Sequence, residues 1–369
     1  MTRRNNKSGR KRSPFVFGLL FRIVLIAAAV AIGLSYVAVY VNPSHFALPL
    51  FFGLFYIPIL AVNLLLLAIA ALHRSPSAWI TVAALLPSLL FTDLFFKIGP
   101  RSGIQEEGIA LKIETYNVGM FSSAEGKRSR NDCRNLILNH IRKESPDIVC
   151  LQEFFADNLE QADTLFSQYP HRHYHLFRAR NGKLFGNLIL SRFPIRNKGV
   201  ISFRNSTNLS IYADIEHYGR EIRIYNNHLE SYNVSFAALV QKFSKSENLD
   251  KEAITHDLKE THDRMLGTFI RRSDQVNTIL KDINRSSAMA IICGDFNDTP
   301  MSYAYHTLAK NRKDSFKEAG KGFGGTFIPV WPLLRIDYVL MPQEAECISH
   351  TIHKIRYSDH YPVTSILNI

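Results

Sequence analysis

The 369-residue sequence has only four cysteines, and their arrangement suits neither a metal site nor a disulfide framework. None belongs to a Cys-x-x-Cys pair or joins a histidine at zinc-ligand spacing. Cys150 and Cys293 lie inside apolar, strand-like runs, where a buried thiol is the simpler interpretation. The cysteines therefore disfavour a disulfide-stapled domain and a cysteine-ligated zinc module.

Acidic residues are almost absent from the first hundred positions. Residues 1–100 contain nine Lys or Arg and a single acid, Asp93, whereas residues 101–369 contain 35 Lys or Arg and 31 Asp or Glu. The formal net charge of +12 thus divides into +8 on the first part and +4 on the second. Much of the excess lies in the tail MTRRNNKSGRKR. Charge alone therefore gives no argument for nucleic-acid binding.

Three long apolar runs follow the basic tail, at Phe21–Val41, Phe46–Leu72 and Ala78–Ile98. Each is about as long as the 20 or so apolar residues that a helix needs to cross a bilayer core. The sequence therefore predicts three transmembrane helices within residues 21–98. Asp93 lies near the end of the third run, one helical turn from Lys97, which favours solvation at the membrane surface or an ion pair with Lys97 over a role in ion transport.

The basic residues predict how these spans are oriented. Lys and Arg are enriched on the cytoplasmic side of membranes, so the tail of residues 1–20 is expected to be cytoplasmic. Three crossings then predict a multi-pass protein of the cell membrane, with everything after Gly99 periplasmic or extracellular. Residues 99–108 are predicted to be a linker. The connections are too short for a transporter, and no cleavage site supports a signal peptide, so the spans are interpreted as an anchor.

From residue 109 to residue 369, short runs rich in β-branched residues alternate with helical stretches. This pattern predicts an α+β layered sandwich. The polar stretch from Val234 to His262 is predicted to be a helical surface insertion. The predicted strands are Leu111–Val118, Asp147–Gln152, Gly186–Ser191, Asn208–Ile215, Arg220–His228, Ala288–Gly294, Arg335–Leu340 and Val363–Leu367. The predicted helices are Arg134–Lys143, Asp157–Phe166, Arg264–Ile283 and Tyr303–Ala309.

Acids, amides and histidines repeatedly occur where these strands end. One such residue is usually a turn former. Six such ends gathered into one site would supply hard oxygen ligands, which suit Mg²⁺ or Mn²⁺, together with two histidines able to act as acid and base. The six sequences are TYN (115–117), LQE (151–153), NHLES (227–231), GDFNDTP (294–300), RIDYV (335–339) and SDHYPV (358–363).

This ordered set of motifs resembles the endonuclease/exonuclease/phosphatase superfamily, whose fold is that of DNase I. The resemblance extends over roughly Ile109–Ile369. It implies a four-layered α/β sandwich, in which two packed mixed sheets are flanked by helices, and a hydrolase that acts on phosphoric esters.

The resemblance also implies roles for the motif residues. Glu153 would be the main ligand of a Mg²⁺ or Mn²⁺ ion, assisted by Asn117 and Asp359. Asp295 and Asn297 would orient or activate the attacking water and contact the scissile phosphate.

The histidines would act on the phosphoryl group. His360 would bind a phosphoryl oxygen or act as base, with Asp337 orienting its imidazole, and His228 would be a second phosphate contact or the acid for the leaving group. Ser231 occupies a position of phosphate binding in the family. Arg272 matches a weaker R-x-x-Q helix signature, with a phosphate-binding or structural role.

The sequence therefore predicts a membrane-anchored, metal-dependent phosphodiesterase or nuclease. TYN and NHLES resemble most closely the 5′-tyrosyl-DNA phosphodiesterases and bacterial phosphodiesterases of the family, without determining the substrate. Two alternatives remain open: a phosphodiesterase of phospholipid or sphingolipid headgroups, and a catalytically silent membrane binding module. The expected partners are a phosphoester, either nucleic acid or lipid headgroup, and the membrane. No protein partner is indicated.

Overall fold

The structure is a computed structural model, and it describes residues 14–99, 110–204, 206–232 and 251–369. Most of the basic tail, nearly all of the predicted linker and most of the predicted insertion lie outside the described residues.

The N-terminal apolar region contains one described helix that is long and apolar enough to cross a membrane. Helix α1 (Pro14–Val37) includes Gly18–Val37, whose mean hydropathy is 2.3. A single apolar helix near the N-terminus suits a membrane anchor or a signal sequence. The expectation of three transmembrane helices is therefore wrong in that form.

The second predicted span is broken. Helices α2 (Leu48–Leu54) and α3 (Tyr56–Leu72) meet at an angle of 75°. Pro58 has no backbone N–H to bond the carbonyl of Leu54, so a continuous helix would lose a hydrogen bond at this point. Together the two helices make at most one broken span or a re-entrant loop.

The third predicted span is too short. Helix α4 (Ala78–Leu85) continues only as a 3₁₀ turn to Leu90, and a helix over this stretch rises about 20 Å, against a bilayer core of roughly 30 Å. The last residues of the third predicted span form a strand, β1 (Phe96–Lys97), which pairs with β11 (Gly322–Phe323) of the following domain. Asp93 pairs with Lys317 at 3.4 Å, so the predicted alternative of an ion pair with Lys97 is wrong.

Apart from β11, the strands of the described residues from Ala110 onward form two six-stranded sheets. The strands of the first sheet, in spatial order, are β10 (Arg312–Asp314), β12 (Asp337–Pro342), β9 (Met289–Asp295), β8 (Arg220–His228), β7 (Leu209–His217) and β6 (Ile195–Ser202). Those of the second are β13 (Glu346–Ile352), β14 (Val363–Asn368), β2 (Ala110–Asn117), β3 (Ile148–Ala156), β5 (Leu184–Ser191) and β4 (His171–Arg178). Both sheets are mixed, because β8 pairs with β9 and β2 with β3 in parallel.

Alternating apolar side chains pack the two sheets face to face. Ile113 and Cys150 of the second sheet share one buried cluster with Ile211, Ile291 and Val339 of the first. Helices cover both outer faces, which gives the helix–sheet–sheet–helix layering that the family resemblance implied. The helices are α5 (Arg130–Glu144), α6 (Leu159–Thr164), α7 (Lys251–Ile283), α8 (Tyr303–Ala309) and α9 (Ser315–Ala319).

The N-terminal apolar region packs against the outer face of the first sheet. Tyr56 and Phe91 share a buried cluster with residues of α7, β8 and β9. At Gly53 the backbones approach so closely that a Cβ atom would lie 2.3 Å from the carbonyl oxygen of Met301. Arg335, which is buried, donates from Nε to the carbonyl of Leu94 at 3.0 Å. The apolar region is therefore docked onto the sandwich through packing and specific hydrogen bonds.

Candidate active site

Three neighbouring strands of the first sheet place their polar ends side by side. Strand β9 ends at Asp295, which is opposite His228 of β8 on one side and opposite Asp337 of β12 on the other. In the second sheet, Asn117 at the end of β2 is paired with Gln152, so Glu153 follows directly beside it. The strand pairing alone thus brings these polar residues to one edge of the sandwich.

Asn117 links the two sheets at this edge. Its Nδ2 donates to Asp295 Oδ2 at 2.9 Å and to Glu153 Oε1 at 3.3 Å. Asp295 is completely buried, whereas about a third of the Glu153 side chain is exposed. Two carboxylates thus lie within reach of one amide group, one beneath the surface and one facing solvent.

The two histidines face the same carboxylates. His360 Nδ1 is 2.9 Å from Asp337 Oδ2, and His360 Nε2 is 3.8 Å from Asp295 Oδ2. His228 Nε2 lies 3.4 Å from Glu153 Oε1 and 4.0 Å from Asp295 Oδ2. Both imidazoles therefore point into the space above Asp295.

Burial and charge within the cluster together shift the pKa values of His360 and Asp295. Burial disfavours the imidazolium of His360, but the carboxylates of Asp337 and Asp295 outweigh burial and hold the pKa of His360 well above its ordinary value. Burial raises the pKa of Asp295, and the nearby His360 opposes that rise. A cationic imidazole beside the site favours binding of an anionic group.

Two residues of the site have left-handed backbone conformations, Glu153 with φ of 50° and Asn297 with φ of 52°. Asn297 is held there by its N–H, which donates to Asp295 Oδ1 at 2.8 Å, and by Nδ2, which donates to the carbonyl of Leu229 at 2.9 Å. Non-glycine residues in this conformation need support from their surroundings and are concentrated at functional sites. The loop after β9 is thus shaped around Asp295.

Asp359 reaches the cluster from the C-terminal segment. The hydroxyl of Ser358 donates to the carbonyl of Asn117 at 2.8 Å, which fixes this segment against the end of β2. Gly119, with φ of 50°, leaves room for it, because a Cβ there would lie 2.8 Å from Asp359 Oδ1. Sequence reasoning missed Gly119 and Ser358, although both lie within two residues of a predicted site residue.

These residues fit a divalent cation. The Asp295, Asp337 and His360 ligand atoms lie within 4.8 Å of one another, and Asp337 Oδ1 is buried without a hydrogen-bond partner among the described atoms. Glu153 and Asp359 add two further carboxylates beside Asn117, and such oxygen donors are typical of sites for hard cations.

Two predicted phosphate-binding residues are not part of this cluster. Arg272 is buried, and its guanidinium donates to the carbonyl of Glu230 at 2.6 and 3.0 Å and pairs with Asp298 at 2.7 Å. It therefore supports the loops after β8 and β9 from behind, which corrects the prediction of direct phosphate contact in favour of the structural alternative. Ser231 has no contact with the cluster among the described residues.

The family comparison agrees with this geometry. The model of the Endonuclease/Exonuclease/phosphatase family matches residues 115–360. The chain belongs to the endonuclease/exonuclease/phosphatase family. A second model, Domain of unknown function (DUF8431), matches residues 17–93. The residues from Asn117 to His360 that form the cluster all lie within the family match.

Solved structures of low sequence identity share the fold. The endonuclease/exonuclease/phosphatase from Beutenbergia cavernae is 18% identical, covers 70% of this chain and 72% of its own, and has a TM-score of 0.51. The family member from Bacteroides vulgatus is 16% identical, covers 70% and 99%, and also scores 0.51. The human Nocturnin catalytic domain is 18% identical, covers 71% and 94%, and scores 0.50. No curated protein matches the sequence significantly.

The raised pKa of His360 predicts a loss of stability at alkaline pH in metal-free protein. Because the folded pKa exceeds the unfolded value, this stabilisation is complete below about pH 6.5 and is lost as pH rises through the folded pKa. Asp337→Asn removes the nearest carboxylate. Urea unfolding in EDTA should therefore show a smaller fall in the free energy of unfolding between about pH 6.5 and pH 9 in the variant than in the wild type. Equal falls in both proteins would contradict the assigned pairing.

Proposed function

We propose that the protein is a membrane-anchored, divalent-metal-dependent phosphoesterase that hydrolyses phosphodiester bonds, with residues 109–369 as its catalytic unit. The observation that carries this proposal is the single cluster in which Glu153, Asp295, Asp337 and His360 converge from two sheets. Such a cluster combines cation ligands, a buried carboxylate and a cationic imidazole, which are the groups that phosphoester hydrolysis requires.

Glu153, Asn117 and Asp359 would hold a Mg²⁺ or Mn²⁺ ion, since their oxygen donors are the ligands these cations prefer. When bound, the cation neutralises charge on the phosphoryl oxygens and on the leaving oxygen. The exposed side of the site is at Glu153, so a substrate phosphate would enter from there.

The remaining residues supply orientation and proton transfer. Asp295, fixed by Asn117 and Asn297, is positioned to orient a water molecule and accept its proton. His360, held by Asp337, would bind a phosphoryl oxygen as imidazolium. His228 lies on the opposite side of Asp295 and is available to the leaving group.

Helix α1 is proposed to be the membrane anchor, with the basic tail in the cytoplasm. One crossing in this orientation puts the catalytic unit in the periplasmic or extracellular space, the same side that three crossings would give. A nuclease at that location would act on extracellular nucleic acid.

One contact favours a second candidate substrate, the headgroup of a membrane phospholipid. The loop after β9 runs from Asp295, the last residue of β9, through Asn297 to Met301, whose backbone lies against Gly53 near the end of α2. Thr299 in this loop is also 3.5 Å from the carbonyl of Gly53. A catalytic loop that packs against the apolar region would hold the site near the membrane surface.

Hydrolysis assays on the full chain in detergent or liposomes test these proposals. The substrates are bis-p-nitrophenyl phosphate, single-stranded DNA, RNA and phosphatidylcholine vesicles, each with Mg²⁺, with Mn²⁺ and with EDTA. We expect turnover of a phosphodiester that depends on the metal. Turnover confined to vesicles would support the lipid substrate, whereas no turnover of any substrate would favour a catalytically silent binding module.

A further inference from the structure

A second cluster of charged and imidazole groups lies beneath helix α5, on the face of the second sheet that points away from the first. Glu114 of β2 is completely buried there, and His140 of α5 covers it with 8% of its surface exposed. His353, just after β13, completes the group. One ligand atom from each of these three residues can be chosen so that all lie within 4.8 Å of one another. The cluster uses none of the residues of the candidate active site.

Two buried atoms in this cluster lack hydrogen-bond partners among the described residues. They are Glu114 Oε1 and His140 Nε2. His140 Nε2 lies 3.3 Å from the other carboxylate oxygen, Glu114 Oε2. Leaving a buried carboxylate oxygen and a ring nitrogen without partners is costly, so their convergence points to a bound group.

The tautomer of His353 follows from its neighbours. The hydroxyl of Thr364 has one hydrogen, and it donates this hydrogen to Glu114 Oε2 at 3.2 Å because a carboxylate only accepts. Thr364 Oγ1 lies 2.9 Å from His353 Nε2 and must therefore accept the Nε2 hydrogen. Nδ1 of His353 consequently carries a free lone pair. A metal-binding histidine is commonly oriented in this way, through a hydrogen bond from its other ring nitrogen.

We propose that Glu114, His140 and His353 bind a Zn²⁺ ion that ties α5 to the C-terminal strands. Two imidazole nitrogens and a carboxylate form a donor set that zinc prefers, and bonds of about 2.0–2.2 Å at tetrahedral angles separate ligand atoms by roughly 3.3 Å. The distance from His140 to Glu114 already has this value.

Glu144 is positioned to be the fourth ligand. It lies one turn after His140 on α5, and its Oε1 is 4.0 Å from His353 Nδ1. Lys112 holds the other oxygen of Glu144 at 3.2 Å and would neutralise part of the ligand charge. The alternative is a metal-free pair between Glu114 and protonated His140, which predicts no bound metal.

The first test measures zinc in the full chain with the candidate active site disabled by Glu153→Gln. Protein purified in detergent is stripped with chelator, reloaded with Zn²⁺ in excess Mg²⁺, and assayed for metal by mass spectrometry. We expect one zinc ion per chain, and less than a tenth of that in His140→Gln and His353→Gln. Thr364→Val, which removes only the orienting hydroxyl, should weaken zinc binding about 10- to 100-fold. His171→Gln is the control and should retain zinc.

A second measurement covers the case in which the variants do not fold. Co²⁺ in place of Zn²⁺ in the Glu153→Gln chain should give the strong visible absorption of tetrahedral coordination, and added Zn²⁺ should remove it. Absence of bound zinc, weak octahedral absorption, or equal zinc content in folded His140→Gln would overturn the proposal. Because these readouts do not involve hydrolysis, they are independent of the proposed phosphoesterase activity.

Discussion

Replacing Asp295 with Asn is expected to lower kcat for phosphodiester hydrolysis by about a thousandfold or more, equivalent to roughly 4 kcal/mol in the activation barrier. The substitution keeps the size of the side chain but removes its charge. Asp295 accepts hydrogen bonds from Asn117 Nδ2 and from the N–H of Asn297, and it lies 3.8 Å from His360. An amide in this place can neither accept a proton from water nor balance the imidazolium.

Asp214→Asn is the matched control, because Asp214 is also a buried acid of the first sheet but pairs with Arg223 at 2.6 Å, far along the strands from this edge. It should lose stability and keep its kcat per folded molecule. Steady-state kinetics on both variants, with folding checked by circular dichroism, measures the difference. Near wild-type turnover in Asp295→Asn would show that the catalytic carboxylate is elsewhere.

The sequence predicted the eight core strands of the two sheets but not their edges. The four strands it missed, β4, β6, β10 and β13, are the outermost strands of their sheets. Central strands are largely buried and carry apolar residues at consecutive or alternate positions. Edge strands such as HRHYHLFR (171–178) are half-exposed and mix charged with apolar residues. Their pattern is therefore not distinguishable from a loop.

The cluster of the candidate site could be predicted because each of its residues lies at or next to one end of a central strand: Asp295 ends β9, and Asp337 begins the antiparallel β12 beside it. The contacts of Arg272 could not be predicted, because the sequence does not indicate whether a helical arginine points toward the site or toward buried carbonyls. The membrane segments were overcounted for a related reason. Hydropathy summed along the chain does not register the break between α2 and α3 or the short length of α4.

Replacing Glu153 with Gln is expected to raise the Mg²⁺ concentration needed for half-maximal activity at least a hundredfold and to lower activity at saturating Mg²⁺. About a third of the Glu153 side chain is exposed to solvent, and the residue, with its left-handed backbone, lies within 3.4 Å of Asn117 and His228. An amide oxygen carries no net charge and attracts a dication much less strongly than a carboxylate does. The effect should therefore appear mainly in the metal dependence, unlike that of Asp295→Asn, which should reduce turnover at every Mg²⁺ concentration.

Titrations of activity with Mg²⁺ and Mn²⁺ for the two variants and the wild type separate these roles. Glu160→Gln serves as the control, because Glu160 is an exposed acid on α6, shortly after β3. It should leave the metal dependence unchanged. Loss of a ligand lowers the affinity of a site for its metal. An unaltered Mg²⁺ requirement in Glu153→Gln would therefore mean that other carboxylates of the cluster hold the cation, and Asp359 and Asp337 would be the next to test.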